Sequence, residues 1–162
     1  MTTSADRSNG VLGIISLWET AEDREVSEAA LAQRRIDGVN IVGGTVSVDN
    51  FEQLVLEVVS PPTVGSALSV SRMKMSPEKV DENLAYFKSN ALADMLATPG
   101  VQAVRNLINR ETGNAIVGVV WADQDALSVV AGAAASRREA AAERGIEFDE
   151  VSSREILLID FR

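Results

Sequence analysis

The chain has 162 residues, 46% of them hydrophobic, 24% charged and only 4% aromatic, with a net charge of −9. That balance suits a folded chain with a mostly aliphatic core and excludes a disordered one, and the lack of any basic stripe argues against a nucleic-acid partner. With no Cys and no His, disulfides, thiolate nucleophiles, Cys/His zinc sites and imidazole acid–base catalysis are all excluded, and no motif supports a carboxylate-only metal site.

The opening MTTSADRSNG is polar and carries no apolar signal-peptide core. It reads as frayed up to a turn at Asp6–Gly10, where Asn9-Gly10 is a strong hairpin signal. The longest apolar run, Ala115 to Ala122, is too short to span a bilayer. A cytoplasmic protein with no membrane partner is therefore expected. Val11 to Trp18 reads as a strand. Thr20 caps a helix from Ala21 to Ile36, with Glu22 and Asp23 at its positive end, Arg34-Arg35 in its last turn and Gly38 as its stop. Phe51 to Val59 is the next strand. Ser60-Pro61-Pro62 ends it, because neither proline can donate to a ladder. Residues 61–65 read as a linker.

Leu68 to Met75 is a strand. Ser76-Pro77-Glu78 starts a helix: Ser caps, Pro sits where its missing N–H is harmless, and Glu meets the dipole. Val80, Leu84, Phe87, Ala91 and Met95 give that helix one apolar face, and Thr98-Pro99-Gly100 closes it. Val101 to Asn109 is a strand, Arg110 to Gly113 a tight turn and Ala115 to Ala122 a buried strand. Asp123 caps a long Ala-rich helix that runs to about Arg144 and stops at Gly145, and Glu155 to Phe161 is the last strand. From residue 66 the order is β-α-β-β-α-β, the ferredoxin-like pattern: an antiparallel sheet with both helices on one face and an apolar face left to cover.

A slide of the chain upon itself that puts Gly10 on Gly113 also puts Arg7 on Arg110, Trp18 on Trp121 and Arg34-Arg35 on Arg137-Arg138. The alignment covers residues 5–59 and 108–162 without a gap and reads as an internal repeat. The expected fold class is α+β: a complete ferredoxin-like module at 66–162, preceded over 1–60 by a partial copy equivalent to its β3-α2-β4. Either a β-α-β start lies upstream of that copy or a truncated half is tolerated. Its unpaired edge predicts self-association into a homodimer or higher homo-oligomer.

The segment from Arg72 to Leu127 has a strand ending in arginine, an amphipathic helix, Pro-Gly before the next strand, a polar-Arg-x-x-Gly hairpin, and a tryptophan closing the third strand. In this it resembles the antibiotic biosynthesis monooxygenase-like (ABM) families of the dimeric α/β-barrel superfamily. The resemblance covers residues 66–162 in full, and residues 5–59 resemble the second part of such a module. It implies two sheets packed face to face, with a ligand pocket between sheet and helices near Trp121. It also marks two departures. The haem-degrading branch uses an Asn where this chain has Ser71, and a His that this chain lacks. The cofactor-independent quinone-forming branch uses polar partners around the tryptophan, whereas Ala115–Val120 offers no polar side chain. No cofactor and no metal are expected.

The candidate pocket residues are Trp121, Ser71, Arg72, Tyr86, Arg105 and Asn106. Trp121 reads either as a gate or as a core plug with its N–H on a backbone carbonyl. Arg72 and Arg105 would orient an anionic or phenolate substrate, or pair with local carboxylates at a wet edge. Tyr86 borders the helix–sheet seam. Arg137-Arg138 and Arg34-Arg35 are accounted for as compensation of helix dipoles, and Asp123-Gln124-Asp125 as a cap. No catalytic residue can be designated. Two functions follow: a cofactor-independent oxygenase acting on a small apolar or aromatic substrate, or a non-catalytic small-molecule-binding or oligomerisation module.

Overall fold

The structure, a computed structural model, describes residues 1–160. Its strands are β1 (Thr2–Asp6), β2 (Val11–Ile15), β3 (Glu52–Val58), β4 (Ala67–Lys74), β5 (Val101–Ile108), β6 (Asn114–Trp121) and β7 (Glu147–Ile159). They form one antiparallel sheet in the order β2-β1-β7-β4-β6-β5-β3. The central four, β7-β4-β6-β5, stand in the ferredoxin-like arrangement expected from residue 66 onward.

The residues before the linker do not build a second layer over this sheet; they lengthen it. The β1–β2 hairpin adds to β7, with Thr2 opposite Ile159 and Thr3 opposite Leu158, and β3 adds to β5, with Glu52 opposite Ile108. The physical reason is that a four-stranded sheet ends in two rows of unpaired N–H and C=O groups, and these strands satisfy both rows. Residues 2–6, read from sequence as frayed, are thereby ordered on two sides: by β2 through the local hairpin, and by β7 about 150 residues away. Strand β7 likewise begins at Glu147 rather than Glu155. Phe161, where the sequence reading ended that strand, lies outside the described residues.

The first helix, α1 (Ala21–Val42), starts as expected: Thr20 Oγ1 accepts from the Asp23 backbone N–H. It runs past Gly38, which costs a helix interior about 1 kcal/mol without breaking it. It stops at Gly43, whose positive φ of 75° lets its N–H close on Val39 O at 2.8 Å. Arg34 and Arg35 therefore sit mid-helix, and Arg35 pairs with Glu28 at 2.5 Å. No residue of α1 is buried.

The second helical segment is broken into α2 (Val80–Tyr86), a π-helical turn at Phe87–Ala91, and α3 (Leu92–Leu96). The widening has a local cause. Ser89 Oγ donates to Ala85 O at 2.9 Å and Asn90 Nδ2 to Tyr86 O at 3.1 Å, so side chains compete for carbonyls that the helix would use. The Ala-rich helix is also two pieces, α4 (Gln124–Val129) and α5 (Ala131–Ala142), with the break at the buried Val130. Asp123 caps the first piece by accepting from Ala126 N at 2.8 Å.

These helices lie on one face of the sheet. The core between them holds Met73, Val80, Val104, Ile108, Val117 and Trp121. On the opposite face Leu68, Val70, Ala103, Val120 and Ile156 form a second buried cluster. The two-residue period of each strand assigns the faces: in β4, Ser69, Ser71 and Met73 look toward the helices, and Leu68, Val70 and Arg72 look away.

Candidate functional site

A cavity of about 430 Å³ lies between the sheet and α2–α5. Its floor is a row of residues set by strand register: Asn106 opposite Val117, Val117 opposite Ser71, and Ser71 opposite Val151. Ser69, Val119 and Trp121 extend the floor toward one end. The roof is apolar where the helices press down, through Leu84, Phe87, Met95 and Leu127, and the π-helical turn contributes Phe87 and Ala91 to it. Such turns recur beside functional sites.

Trp121 is 2% exposed and its indole N–H donates to Ser69 Oγ at 3.0 Å. Its partner is therefore a side-chain hydroxyl in the cavity floor, where the sequence reading had a backbone carbonyl. Tyr86 is held by Arg144, whose guanidinium carbon stands 4.2 Å from the ring centroid, a cation–π contact. The same guanidinium donates to Glu82 Oε1 at 2.8 Å. Asn106 is 4% exposed, and its Oδ1 has no hydrogen-bond partner. A buried, unanswered carboxamide oxygen in a cavity floor costs about 1–3 kcal/mol, so it needs a reason to persist.

Of the six residues proposed from sequence, the cavity brings together Trp121, Ser71, Tyr86 and Asn106. It does not include Arg72 or Arg105. Each is the strand neighbour of a cavity residue, and successive strand residues point to opposite faces. Arg72 pairs with Asp49 on the far side. Arg105 stands opposite Gly118 in the register, and burial pushes its guanidinium pKa down.

Two cations that the sequence reading assigned to helix-end compensation are in the cavity wall instead. Arg137 and Arg138 lie in the interior of α5, not in its last turn, and both line the cavity beside Ala134 and Ala141. The signal was legible: residues at 134, 137, 138 and 141 share one helix face. Trp18, which the sequence slide puts on Trp121, is 36% exposed and outside the cavity.

Among the described residues no carboxylate lines the cavity, and no group of three His, Cys, Asp or Glu is placed to hold a metal ion. Among them, too, no helix is long and apolar enough to cross a membrane. The site can enclose an apolar molecule, meet a polar group on it from Asn106, Ser69 or Ser71, and present two guanidiniums.

No family model matches the chain. An uncharacterized protein of Mycobacterium tuberculosis is 27% identical over 122 residues, covering 75% of this chain and 54% of the relative. The chain thus spans about half the length of the curated relatives it matches. Among solved structures, a proposed monooxygenase of Lactobacillus acidophilus superposes with a TM-score of 0.64 at 12% identity, over 96% of this chain and 75% of that one. A ferredoxin-fold protein of Listeria monocytogenes related to antibiotic biosynthesis monooxygenases gives 0.52 at 10% identity, over 72% and 71% of the two chains. The chain has the ferredoxin-like fold of antibiotic biosynthesis monooxygenase-like proteins.

Proposed function

We propose that this protein binds a small, mostly apolar or aromatic molecule in the cavity beneath α2–α5 and oxygenates it without metal or flavin. The observation that carries the reading is a mostly apolar cavity of about 430 Å³ whose floor holds the buried Trp121, hydrogen-bonded to Ser69. For an anthrone the balanced step converts a ring CH₂ to C=O: one atom of O₂ enters the product and the other leaves as water with the two hydrogens. The protein's part is to exclude water, to hold the ring against Trp121 and to stabilise the substrate's enolate form by hydrogen bonding from the Asn106 amide.

One observation favours the alternative, a non-catalytic binding module. With no carboxylate and no imidazole in the cavity wall, deprotonation falls to the substrate's own acidity. Oxygen uptake with a panel of anthrones and quinols separates the two. Under the oxygenase reading uptake exceeds the uncatalysed rate and falls at least tenfold in Trp121→Phe or Asn106→Leu chains. Absence of uptake, with Trp121 fluorescence still quenched by the same compounds, leaves only the binding function.

Self-association belongs to the same proposal. Ile14 and Leu158 stand on either side of Thr3 across the sheet, each more than two-fifths exposed, with Leu12 also exposed on β2. An apolar surface of this kind suits a second copy of the chain. A single species of monomer mass in sedimentation at micromolar concentration would refute it.

A further inference from the structure

The arginines of this chain mostly hold carboxylates: Arg35, Arg72, Arg110, Arg144 and Arg154 are each in an ion pair. Arg34, Arg105, Arg137 and Arg138 stand outside such pairs, and of these four only Arg137 and Arg138 line the cavity. Both are half-buried in the cavity wall, and among the described residues neither has an acidic partner, in a protein with 24 acidic side chains. A guanidinium partly withdrawn from water and left without a counterion is poised for an anion, which it would grip through paired N–H donors.

At the other side of the cavity the Asn106 carboxamide oxygen is also unanswered. Helix α5 packs over β7, Asn106 is on β5, and β4 and β6 lie between them. Three interstrand steps amount to roughly 14 Å. Between these ends the walls are apolar, with Met73, Phe87, Val117, Val119, Trp121 and Phe148.

We propose that the cavity takes an elongated apolar monoanion: an aromatic or fused-ring skeleton whose single anionic group, a carboxylate in the simplest case, pairs with Arg137 and Arg138. A hydroxyl at its far end donates to the Asn106 carboxamide oxygen. The proposal deepens the small-molecule reading of the cavity and rests on it. It adds what that reading leaves open, the charge and polarity of the ligand.

The test uses two dyes with one skeleton, 8-anilinonaphthalene-1-sulfonate and the uncharged N-phenyl-1-naphthylamine. Binding is read as energy transfer from Trp121 in a Trp18→Phe chain, so that the single donor stands in the cavity floor and the double substitution below reports whether the dye lies there. The anionic dye should bind at least tenfold more tightly than the neutral one. An Arg137→Gln/Arg138→Gln chain should lose that preference while keeping its affinity for the neutral dye and its circular-dichroism spectrum. Displacement of the dye by 6-hydroxy-2-naphthoate and 2-naphthoate then tests the far end: the hydroxylated acid should bind several-fold more tightly, and its advantage should vanish in Asn106→Leu. Equal affinities for the two dyes in the native chain, or a preference that survives the double substitution, overturns the anion assignment. A hydroxyl advantage that survives Asn106→Leu overturns the role of the carboxamide. If neither dye takes energy from Trp121, the small-molecule reading of the cavity falls as well, an outcome distinct from binding without charge preference.

Discussion

Gly10 and Gly113 are superposed by the slide that aligns the two parts of the chain, and both turn a hairpin at positive φ, 66° and 74°. Their surroundings differ. A Cβ on Gly10 meets nothing within 4 Å, whereas a Cβ on Gly113 would stand 1.9 Å from the Met75 carbonyl oxygen. That carbonyl follows the end of β4, and the Met75 N–H is itself bonded to Gly113 O at 3.0 Å. Replacing either glycine by Ala puts an L side chain in the left-handed region, at about 1 kcal/mol. In Gly113→Ala the backbone must also part by more than an ångström. That movement breaks the Met75–Gly113 hydrogen bond, at about 1 kcal/mol more, and strains the turn held by Asn109, whose Oδ1 accepts from Glu111 N and Thr112 N. The expected destabilisation is about 3 kcal/mol or more for Gly113→Ala and about 1 kcal/mol for Gly10→Ala. Urea unfolding followed by circular dichroism measures both. Equal losses would show that the hairpin glides past Met75 at no cost, and the packing argument would be wrong.

Two other expectations are smaller in scale. Trp121→Phe and Ser69→Ala should be coupled: a double-mutant cycle should return about 1 kcal/mol for their hydrogen bond, and a coupling near zero would mean that the indole N–H is satisfied elsewhere. The Asp6 carboxyl is held down to about 2 by the Ser8 hydroxyl, with the Asn9 side chain and backbone N–H groups adding to it. Its folded pKa lies below its ordinary 3.8, so its contribution to stability is full above that value and is lost as pH falls toward about 2. Asp6→Asn should therefore be less stable than the native chain at pH 7, with the gap narrowing between about pH 4 and pH 2; a gap independent of pH would refute the assignment.

What could be read from the sequence was local. The Pro77-Glu78 helix start, the Val80–Leu84–Phe87 face, the Arg110–Gly113 turn and the Asp123 cap each carry their cause within a few residues, and each is where the sequence put it; Ser76 holds the N-cap position, but its side chain makes no capping hydrogen bond. What could not be read depends on distant pairing. TTSAD carries little strand signal of its own and becomes β1 between two partners, β2 across the local turn and β7 from the far end of the chain. Residues 147–154 form a strand because β4 lies alongside. The site shows a different kind of error. Ser71 with Arg72, and Arg105 with Asn106, are consecutive on their strands, so the period of two already forbade all four from sharing a cavity. Arg137 and Arg138 were assigned to dipole compensation although six residues remained before the expected helix end at Arg144; α5 ends at Ala142, and the face that carries them forms part of the cavity wall.

The order β2-β1-β7-β4-β6-β5-β3 also bears on how the chain is made. The β1–β2 hairpin docks on a strand about 150 residues further along the chain, since Ala5 pairs with Glu155 and Thr2 with Ile159. Until β7 has been made, the hairpin carrying Leu12 and Ile14 has no sheet to join, and the chain carries an open apolar edge. Assembly of the outer strands is then a late, long-range closure, and slow compared with the helical steps that precede it.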